Sequence, residues 1–360
     1  MRYAKILEIS SYPPPHAGWG VRVELVRNEL RRQGHACVVI NLGPNRKIKS
    51  PEYEDVQSGF DYVRKVFRYC FKGYRAHMHM NGQSPKGFVL TLMSQFISLL
   101  SGRLCILTFH AGTNQTFFPR ENSPKLAPLL SLIFRLSKKI ICNDEAVKKR
   151  ICEYGVKPSK VFPIPAFSTQ YMEFEEQPLA PALEAFLQAH LPVLSSYSLM
   201  RPTFHMDTTL RALAILKERW PKIGLVFIGS TEKAEDMDPQ TVFDLIEELG
   251  LSENIHWVGN LPHDTFLTVV KRTKIAVRTY VYDGICSSVL EALSMGIPVV
   301  GCENELRPKE VVIFKTGDEH DLAAKIAYAL ENYDHVVERM SKPALRDTLS
   351  EEVNLLSGEP

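Results

Sequence analysis

The sequence predicts an α/β protein with two domains. Short apolar runs typical of buried strands alternate with helix-like segments in both halves of the chain, which is the pattern of parallel sheets covered by helices. At 360 residues the chain is long for one hydrophobic core and sufficient for two. An acidic, proline-bearing stretch at residues 168–192 separates the halves, and we predict that it links them.

The composition excludes several classes of protein. Apolar residues make up 45% of the chain and charged residues 23%, and a net charge of +2 gives no indication of a nucleic-acid partner. The seven cysteines never occur in C-x-x-C spacing, which favours buried thiols in a reducing compartment over disulfides or a zinc site. No signal peptide is visible, and no apolar run reaches the roughly 18 residues that a membrane-spanning helix needs. We therefore expect a cytoplasmic protein.

The first half opens with a strand, a loop and a helix. Lys5–Ile9 is predicted as a strand, the loop over Ser10–Gly20 is rich in proline and glycine, and Val21–Gln33 has helical apolar spacing. Such a loop brings backbone N–H groups close to a ligand at the carboxyl edge of a sheet. Because Gly18 and Gly20 lack the third glycine of G-x-G-x-x-G, the loop is not a dinucleotide-binding fingerprint. The later predicted elements of this half are strands at Cys37–Leu42, Ala76–Met80, Leu104–Phe109, Ile140–Cys142 and Val161–Ile164, and a helix at Phe88–Leu100.

Two features of this half are candidates for function. The segment Asp61–Arg75 mixes five basic residues with five aromatic ones. It is interpreted as an amphipathic helix packed on the sheet, with contact to an anionic membrane surface or a lipid-linked acceptor as the alternative. His110 follows a predicted strand at the carboxyl edge, where ligands of open α/β sheets bind. A histidine in that position is either structural or part of a site.

The second half repeats the alternation of strands and helices. The predicted strands are Val193–Tyr197, Gly224–Gly229, Ile255–Val258, Ile275–Arg278 and Val311–Phe314. The predicted helices are Thr208–Arg219, Pro239–Leu249, Asp264–Lys271 and Glu319–Glu331.

The stretch Asp283–Val300, DGICSSVLEALSMGIPVV, combines a loop, a helix and a buried strand. Ser288 and Glu291 have the S-x-x-E spacing of a helix capping box. A helix N-terminus suits a phosphate, and the carboxylates of Asp283 and Glu291 on either side can accept hydrogen bonds from hydroxyl groups. A phosphate flanked by hydroxyls describes a nucleotide sugar. The alternative is that Glu291 only caps its own helix and Asp283 is a turn residue.

This stretch resembles the E-x7-E signature of retaining glycosyltransferases of family 4, with Asp283 at the first position and Glu291 at the second. The segment LEALSMGIPVV is similar to that family's L-E-A-hydrophobic-small-x-G-x-P-V-V. The resemblance covers most of the chain and implies the GT-B architecture, in which two doubly wound Rossmann-like domains face each other across a cleft. Residues 1–170 would form the acceptor-side domain, residues 171–340 the nucleotide-sugar-binding domain, and residues 341–360 a helical tail that could pack back on the first domain.

The resemblance also implies a reaction. A sugar would pass from a nucleoside-diphosphate sugar to an acceptor hydroxyl with retention of configuration, and neither a metal nor another cofactor would be required. The acceptor would be a glycan or a lipid-linked glycan, in glycan or surface polysaccharide synthesis. The first domain would then contact the inner face of a membrane peripherally.

Individual roles follow from the resemblance. Glu291 would hold the ribose hydroxyls, Asp283 would meet hydroxyls of the transferred sugar, and His110 would touch the sugar or the acceptor. The residues expected against the sugar and the diphosphate are Gly18, Gly20, Gly284, Cys286, Ser287 and Ser288, although Cys286 stands where the family often has glycine.

Two positive groups of the family's donor site are altered in this chain. The family usually has an arginine and then Lys-Gly after the first strand of its second domain, whereas here His205 and Met206 stand at the Lys-Gly position and the nearest arginine is Arg201. Arg201 is a good phosphate ligand by chemistry, and His205 is positive only when it is protonated. These changes leave open a nucleotide-sugar-binding partner subunit that has lost transfer. A nicotinamide dehydrogenase is disfavoured because the dinucleotide fingerprint is absent.

Overall fold

A computed structural model of the chain describes residues 3–14, 19–110, 112–231, 237–282, 286–304, 307–341 and 345–358. The chain divides into two compact units, one made of Met1–Gln170 together with Arg346–Pro360, and the other of Tyr171–Leu345. Within the described residues, each unit holds one six-stranded parallel sheet with helices around it. The predicted α/β fold with two doubly wound, Rossmann-like domains is therefore confirmed.

The strands of the first unit are β1 (Lys5–Ser10), β2 (Ala36–Asn41), β3 (Arg75–Met80), β4 (Ile106–Phe109), β5 (Ile140–Cys142) and β6 (Val161–Pro163). All pair in parallel, in the order β2-β1-β3-β4-β5-β6. Because β2 and β3 lie on opposite sides of β1, the strand order reverses next to β1. Five of the six residues of β1 are buried, as expected of a central strand covered on both faces.

The helices of the first unit that precede its last strand are α1 (Trp19–Arg32), α2 (Gly59–Phe71), α3 (Pro85–Leu100), α4 (Ala127–Leu136) and α5 (Glu145–Cys152). Helix α2 begins where the hydroxyl of Ser58 accepts a hydrogen bond from the N–H of Asp61. The helix ends at Phe71 and not at Arg75, because Gly73 takes a left-handed turn and β3 begins at Arg75. One core joins α2, α3 and α4 to the sheet through residues such as Val66, Phe88, Phe134 and Leu107.

The strands of the second unit are β7 (Val193–Tyr197), β8 (Gly224–Ile228), β9 (Ile255–Trp257), β10 (Ile275–Arg278), β11 (Val299–Cys302) and β12 (Val312–Phe314). They pair in parallel in the order β12-β11-β10-β7-β8-β9. Here β7 lies between β10 and β8, so the strand order reverses between β7 and β10.

The helices of the second unit are α6 (Pro181–Ala189), α7 (Met206–Arg219), α8 (Pro239–Glu248), α9 (His263–Lys271), α10 (Ser287–Ser294), α11 (Glu319–Glu331) and α12 (Tyr333–Arg339). Helix α6 lies inside the stretch that the sequence predicts as a linker. Its residues Leu183 and Phe186 are buried in the same core as Val226 and Val269. Most of residues 171–192 therefore belongs to the packed second unit, and the predicted linker is too long.

The last helix, α13 (Thr348–Ser357), returns to the first unit. The guanidinium Nε of Arg22 on α1 donates to Glu352 at 2.7 Å, and its second amino group donates to the carbonyl of Thr348 at 2.7 Å. Both charged side chains are almost fully buried. Val353 of α13 also packs in a cluster with Val26 of α1. The tail is therefore held to the first unit by a buried ion pair and by apolar contact.

Two general features complete the fold. All seven cysteines are free thiols, and five of them are buried. Within the described residues, every helix is too short or too polar to span a bilayer.

Candidate functional site

In open parallel sheets, ligands bind at the carboxyl ends of the strands where the strand order reverses. In the second unit this position lies between β7 and β10. Tyr197 ends β7, Arg278 ends β10, and α10 begins shortly after β10. A cavity of about 20 Å³ is lined by Tyr197, Arg278 and Ser288, so the start of α10 meets the ends of both strands.

The N-terminus of α10 has no side-chain cap among the described residues. The helix begins at Ser287, and Cys286, which precedes it, makes no capping hydrogen bond with its side chain. The Sγ of Cys286 lies 3.2 Å from the hydroxyl of Ser288 instead. The predicted capping box of Ser288 and Glu291 is therefore wrong, because Ser288 is already inside the helix and the Glu291 carboxylate bonds elsewhere. Among the described residues, no side chain caps the first N–H groups of α10, which is the arrangement in which a helix start binds an anion or water.

Glu291 is buried and is held by one hydrogen bond. Its Oε1 lies 2.8 Å from Nε2 of His263, the first residue of α9, while its Oε2 has no partner in the described part of the chain. Burial alone would lower the pKa of His263, but the hydrogen bond and the charge of Glu291 outweigh burial and raise it. The ring edge of Tyr171 packs against His263, with centroids 5.7 Å apart. One carboxylate oxygen is thus fixed and the other is available to hydroxyl groups.

Arg278 is a buried cation that the sequence analysis missed. One of its amino groups donates to the carbonyl of Tyr197 at 3.0 Å. Its guanidinium carbon lies 5.6 Å, 5.5 Å and 5.4 Å from the ring centroids of Tyr197, Phe204 and Tyr280. The aromatic rings stabilise the positive charge and hold it at the carboxyl edge of the sheet. The signal in the sequence is an arginine at the end of the otherwise apolar strand IAVR.

Arg201 acts electrostatically on the same tyrosine as Arg278. Burial raises the pKa of the Tyr197 phenol, and the charges of Arg278 and Arg201 act against that rise. Both guanidinium groups are therefore close enough to the same phenol to act on it electrostatically. Arg201 is exposed, and among the described residues no acidic group forms an ion pair with it. The structure thus brings one buried and one exposed arginine to this edge.

His205 has a backbone conformation that is unusual for its residue type. It is the residue before α7, and its φ of 45° and ψ of 49° are left-handed. This conformation costs a residue with a Cβ roughly 1–2 kcal/mol, so glycine usually occupies it. Its imidazole makes no hydrogen bond within the described residues, and the N-terminus of α7 has no side-chain cap there. His205 therefore stands beside a second helix start.

Three of the predicted site residues, Gly18, Asp283 and Gly284, lie outside the described residues. Gly20 is described and is buried in the first turn of α1. A Cβ at Gly20 would lie 3.3 Å from the Cδ of Pro13, so glycine is explained there by packing against the preceding loop. Its predicted role in phosphate binding stays a prediction.

In the first unit, a cluster of buried polar side chains lies where the strand order reverses. In the sheet register, Glu8 of β1 is opposite His77 of β3. The Glu8 carboxylate lies 3.0 Å from Nδ1 of His77 and 2.9 Å from Nε2 of His79, and all three side chains are fully buried or nearly so. Burial opposes ionisation of Glu8, but the charges and hydrogen bonds of His77 and His79 outweigh it and lower its pKa to about 2. The other nitrogen of His77 lies 2.7 Å from the hydroxyl of Thr108.

His110 extends this cluster to the end of β4. Its Nε2 lies 2.8 Å from Nδ1 of His79, and its ring stacks on Trp19 with centroids 4.2 Å apart and planes 14° apart. Its backbone N–H donates to the carbonyl of Met80 at 2.8 Å. Burial is the largest cause that lowers the pKa of His110 well below its usual range, and the neighbouring His79, His77 and Arg22 disfavour a positive charge on it further. His110 is therefore a neutral imidazole held at the carboxyl edge.

The sequence contained a partial signal for this cluster. His77 and His79 are two residues apart in the strand RAHMHM, so both side chains point to the same face of the sheet. Only the pairing of β3 with β1 and β4 shows that Glu8 and His110 lie on either side of them. Residues far apart in the chain cannot be matched without this strand order.

Models of known protein families match both halves of the chain. Residues 17–167 match the family model described as Glycosyltransferase Family 4, and residues 188–346 match the one described as Glycosyl transferases group 1. Both halves are thus related to glycosyltransferases. A curated relative, an uncharacterized glycosyltransferase of Methanocaldococcus jannaschii, is 23% identical over 145 residues, which is 40% of this chain and 32% of the relative. The chain therefore matches about a third of that relative's length.

Solved structures share the fold along nearly the whole chain. Sucrose-phosphate synthase from Thermosynechococcus elongatus has a TM-score of 0.69 at 17% identity, covering 98% of this chain and 97% of its own. HepE from Anabaena in complex with UDP-glucose has a TM-score of 0.64 at 14% identity, with 97% and 99% covered. A UDP-N-acetylglucosamine 2-epimerase has a TM-score of 0.68 at 13% identity, with 100% and 99% covered. At these identities the structural similarity establishes the GT-B fold alone. Both glycosyltransferases and epimerases have this fold, so the reaction must be inferred from the residues of the site.

Proposed function

We propose that this chain, which has the GT-B fold and is related to glycosyltransferases along both halves, is itself a glycosyltransferase that uses a nucleoside-diphosphate sugar. The observation that carries the proposal is the pairing of an uncapped helix N-terminus with a buried, half-open carboxylate on the same helix. A helix N-terminus binds phosphate groups, and a carboxylate accepts hydrogen bonds from ribose hydroxyls. The UDP-glucose bound to HepE makes uridine nucleotides the first donors to test.

Each part of the donor has a partner in this proposal. Oε2 of Glu291 accepts from a ribose hydroxyl while His263 holds Oε1 in place. The N–H groups at Ser287 and Ser288 face the diphosphate, with Cys286 at the helix start. Arg201 and Arg278 supply positive charge that a departing diphosphate needs.

The chemistry we propose is transfer with retention. The bond between the anomeric carbon and the diphosphate oxygen breaks, and its electron pair leaves with the nucleoside diphosphate. A new bond forms from the acceptor oxygen to the same face of that carbon, and the acceptor proton passes to the departing phosphate oxygen. The arginines and the helix N-terminus would stabilise the charge that a metal ion stabilises in other transferases, so we propose that no metal is required. Asp283 and Gly284 would contact the transferred sugar.

A second proposal concerns the acceptor side. On α2, Phe60, Phe67 and Phe71 are exposed although they are aromatic, and Arg64 and Arg68 lie on the same side at helical spacing. Tyr62 and Tyr69 of the same helix are buried. One face of α2 therefore packs on the first unit, as in the first interpretation, and the other is free for the membrane contact of the alternative. The contacting helix α3 adds further exposed apolar residues, namely Val89, Phe96, Leu99 and Leu100. We propose that this basic and apolar face binds an anionic membrane surface that carries a lipid-linked acceptor.

Vesicle sedimentation tests the membrane proposal. The chain should bind vesicles that contain anionic phospholipid and should bind neutral vesicles weakly, because the face combines arginines with aromatic rings. Phe67→Ser with Phe71→Ser should reduce binding several-fold, while Tyr328→Ser, an exposed aromatic residue of the second unit, should not. Equal binding of all three proteins to anionic vesicles would exclude the α2 face.

The alternative function is a nucleotide-sugar-binding partner subunit without transfer. It is favoured by the left-handed His205, which stands where the family places its lysine, and by the exposure of Arg201. A thermal-shift panel of nucleotide sugars, followed by assays of donor consumption, separates the two functions. A glycosyltransferase consumes the donor that stabilises it, and the consumption is lost in Glu291→Ala. A subunit without transfer is stabilised by a nucleoside diphosphate but consumes none of the donors.

A further inference from the structure

Four side chains of the first unit form a continuous hydrogen-bonded series that the donor chemistry does not use. The series runs from His77 through Glu8 and His79 to His110, with separations of 3.0 Å, 2.9 Å and 2.8 Å. All four residues are at least nine-tenths buried. Leaving a buried polar group without a partner costs free energy, so each hydrogen bond of the series has one defined donor and one defined acceptor.

The direction of each hydrogen follows from the chemistry of the groups. Glu8 is ionised and can only accept, so His79 donates to it from Nε2. Burial and the charge of His77 lower the pKa of His79, which makes His79 neutral and leaves its Nδ1 as an acceptor. His110 must then donate from Nε2 to that nitrogen. His110 is consequently the tautomer with its hydrogen on Nε2, and its Nδ1 carries a lone pair.

The surroundings fix the ring as well as the tautomer. Trp19 covers one face of the His110 imidazole, and the backbone N–H of His110 is anchored to Met80. The charged groups that act on the cluster from the helices packed on it are Arg22 on α1 and Glu352 on α13, which neutralise each other in an ion pair. Among the described residues, Nδ1 of His110 has no hydrogen-bond partner. This atom can accept a hydrogen bond and cannot donate one.

We propose that Glu8 and His79 are positioning residues that hold His110 in one tautomer, so that its Nδ1 accepts a hydrogen bond from a hydroxyl of an acceptor bound at the carboxyl edge of the first sheet. This inference rests on the proposed function. It assigns His110 to a hydroxyl and excludes it as a donor to the diphosphate, because a neutral imidazole bonded through Nε2 offers no second hydrogen. His77 lies 3.0 Å from Oε1 of Glu8 through its Nδ1, and Thr108 holds the other nitrogen of His77, which keeps the carboxylate in place beside His79.

Nitrogen NMR of histidine in the full chain tests the tautomer without any assay of transfer. His110 should show a protonated Nε2 and an unprotonated Nδ1 and should not titrate between about pH 6 and pH 8. Signals are assigned with His110→Gln, and His335→Gln serves as a control because His335 is exposed and lies in the second unit. A wild-type His110 that titrates in this range, or that carries its hydrogen on Nδ1, overturns the proposal.

Two variants of His79 separate positioning from packing. Glutamine can donate to Glu8 through its amide nitrogen and accept from His110 through its amide oxygen, so His79→Gln should keep the tautomer and most of the activity. Leucine can do neither, so His79→Leu should give mixed tautomers and lower kcat/KM by about tenfold, the value of one hydrogen bond. If both variants fold, an equal loss of activity in them overturns the role. If His79→Leu fails to fold, a wild-type His110 in the other tautomer, or a folded His79→Gln chain with mixed tautomers, overturns it.

Substrate and metal provide two further outcomes. The Nδ1 signal should shift when the acceptor is added, and an unchanged signal at saturating acceptor overturns the contact with substrate. A wild-type chain that consumes no donor counts against the proposed function instead, since the tautomer is measured independently. Glu8, His77 and His79 also have atoms within 4.8 Å of one another, as metal ligands do. Stoichiometric zinc in the purified chain would overturn the proton assignment.

Discussion

The two sheet edges of this protein differ in how their polar groups are satisfied. In the first unit, Glu8, His77 and His79 bond to one another, and only the last member, His110, has a nitrogen without a partner among the described residues. In the second unit, Glu291 has one oxygen bonded, and its other oxygen has no partner in the part of the chain that the structure describes. The first edge is thus built mainly from internal hydrogen bonds, whereas the second leaves part of its hydrogen-bonding capacity unused among the described residues.

The largest effect is expected where the internal bonding of the first unit is broken. Glu352→Leu leaves Arg22 buried and unpaired, and breaking a buried pair costs about 3–5 kcal/mol in free energy of unfolding. The double variant Arg22→Met with Glu352→Leu should recover most of this loss, because no buried charge remains. Urea unfolding of the purified variants measures both.

Glu351 provides the matched control on the same helix. It pairs with Arg346 in an exposed ion pair, so Glu351→Ala should cost less than about 1 kcal/mol. If Glu352→Leu and Glu351→Ala destabilise the chain equally, the buried pair has no special role in holding α13.

The next largest effect is expected at the open edge of the second unit. Glu291→Ala removes the carboxylate that would accept from the ribose, and one hydrogen bond to a charged group contributes about 1.5–3 kcal/mol, or roughly 10- to 150-fold in affinity. Nucleoside-diphosphate binding measured by calorimetry should weaken by that factor. The exposed Glu247→Ala on α8 is the control. Unchanged affinity in Glu291→Ala would remove Glu291 from the donor site.

A smaller effect is expected at Arg201. Its exposed guanidinium would contact phosphate in water, so Arg201→Ala should weaken nucleoside-diphosphate binding by about 5- to 10-fold at low salt. The loss should shrink as salt is added, because exposed charges are screened. Arg211→Ala, an exposed arginine of α7, should leave binding unchanged. A loss at Arg201 that is independent of salt would contradict an electrostatic role.

The smallest effect is a dependence of stability on pH at His263. Its pKa is raised in the folded chain by Glu291, in spite of burial, so protonation stabilises the fold. This contribution is complete below the unfolded pKa of about 6.5 and is lost as the pH rises through the raised folded pKa. The melting temperature should therefore fall over that range. His263→Gln should flatten this part of the profile, and a profile identical to the wild type would contradict the pairing.

The sequence predicted the second edge far better than the first. The stretch around Glu291 is contiguous and resembles a family signature, so its helix and following strand could be placed directly. The first edge is assembled from Glu8, His79 and His110 on three strands, and only the strand order brings them together. His110 could be predicted as a site residue because it follows a strand, whereas its partners Glu8 and His79 were not predicted from the sequence.

Two local details could not be read from spacing alone. The S-x-x-E pattern predicted a capping box, but α10 begins one residue before Ser288, so the serine cannot be the N-cap. The free Glu291 carboxylate then bonds to His263, which is distant in the sequence. Arg278 ends an apolar strand, and its cage of aromatic rings is formed by tertiary contacts of Tyr197 and Phe204. Tertiary contacts overrode the local pattern in both cases.

If the proposed function is correct, the open edge of the second unit binds a nucleotide sugar, which the protein then consumes. Proton NMR of UDP-sugars and other nucleotide sugars incubated with the full chain follows donor loss and the configuration of the released or transferred sugar together. We predict that one donor is converted to nucleoside diphosphate with retained configuration, at a rate that falls strongly in Glu291→Ala and is unchanged in Glu247→Ala. Tight binding of a nucleoside diphosphate with no consumption of any donor, or equal consumption in both variants, would contradict the proposed function.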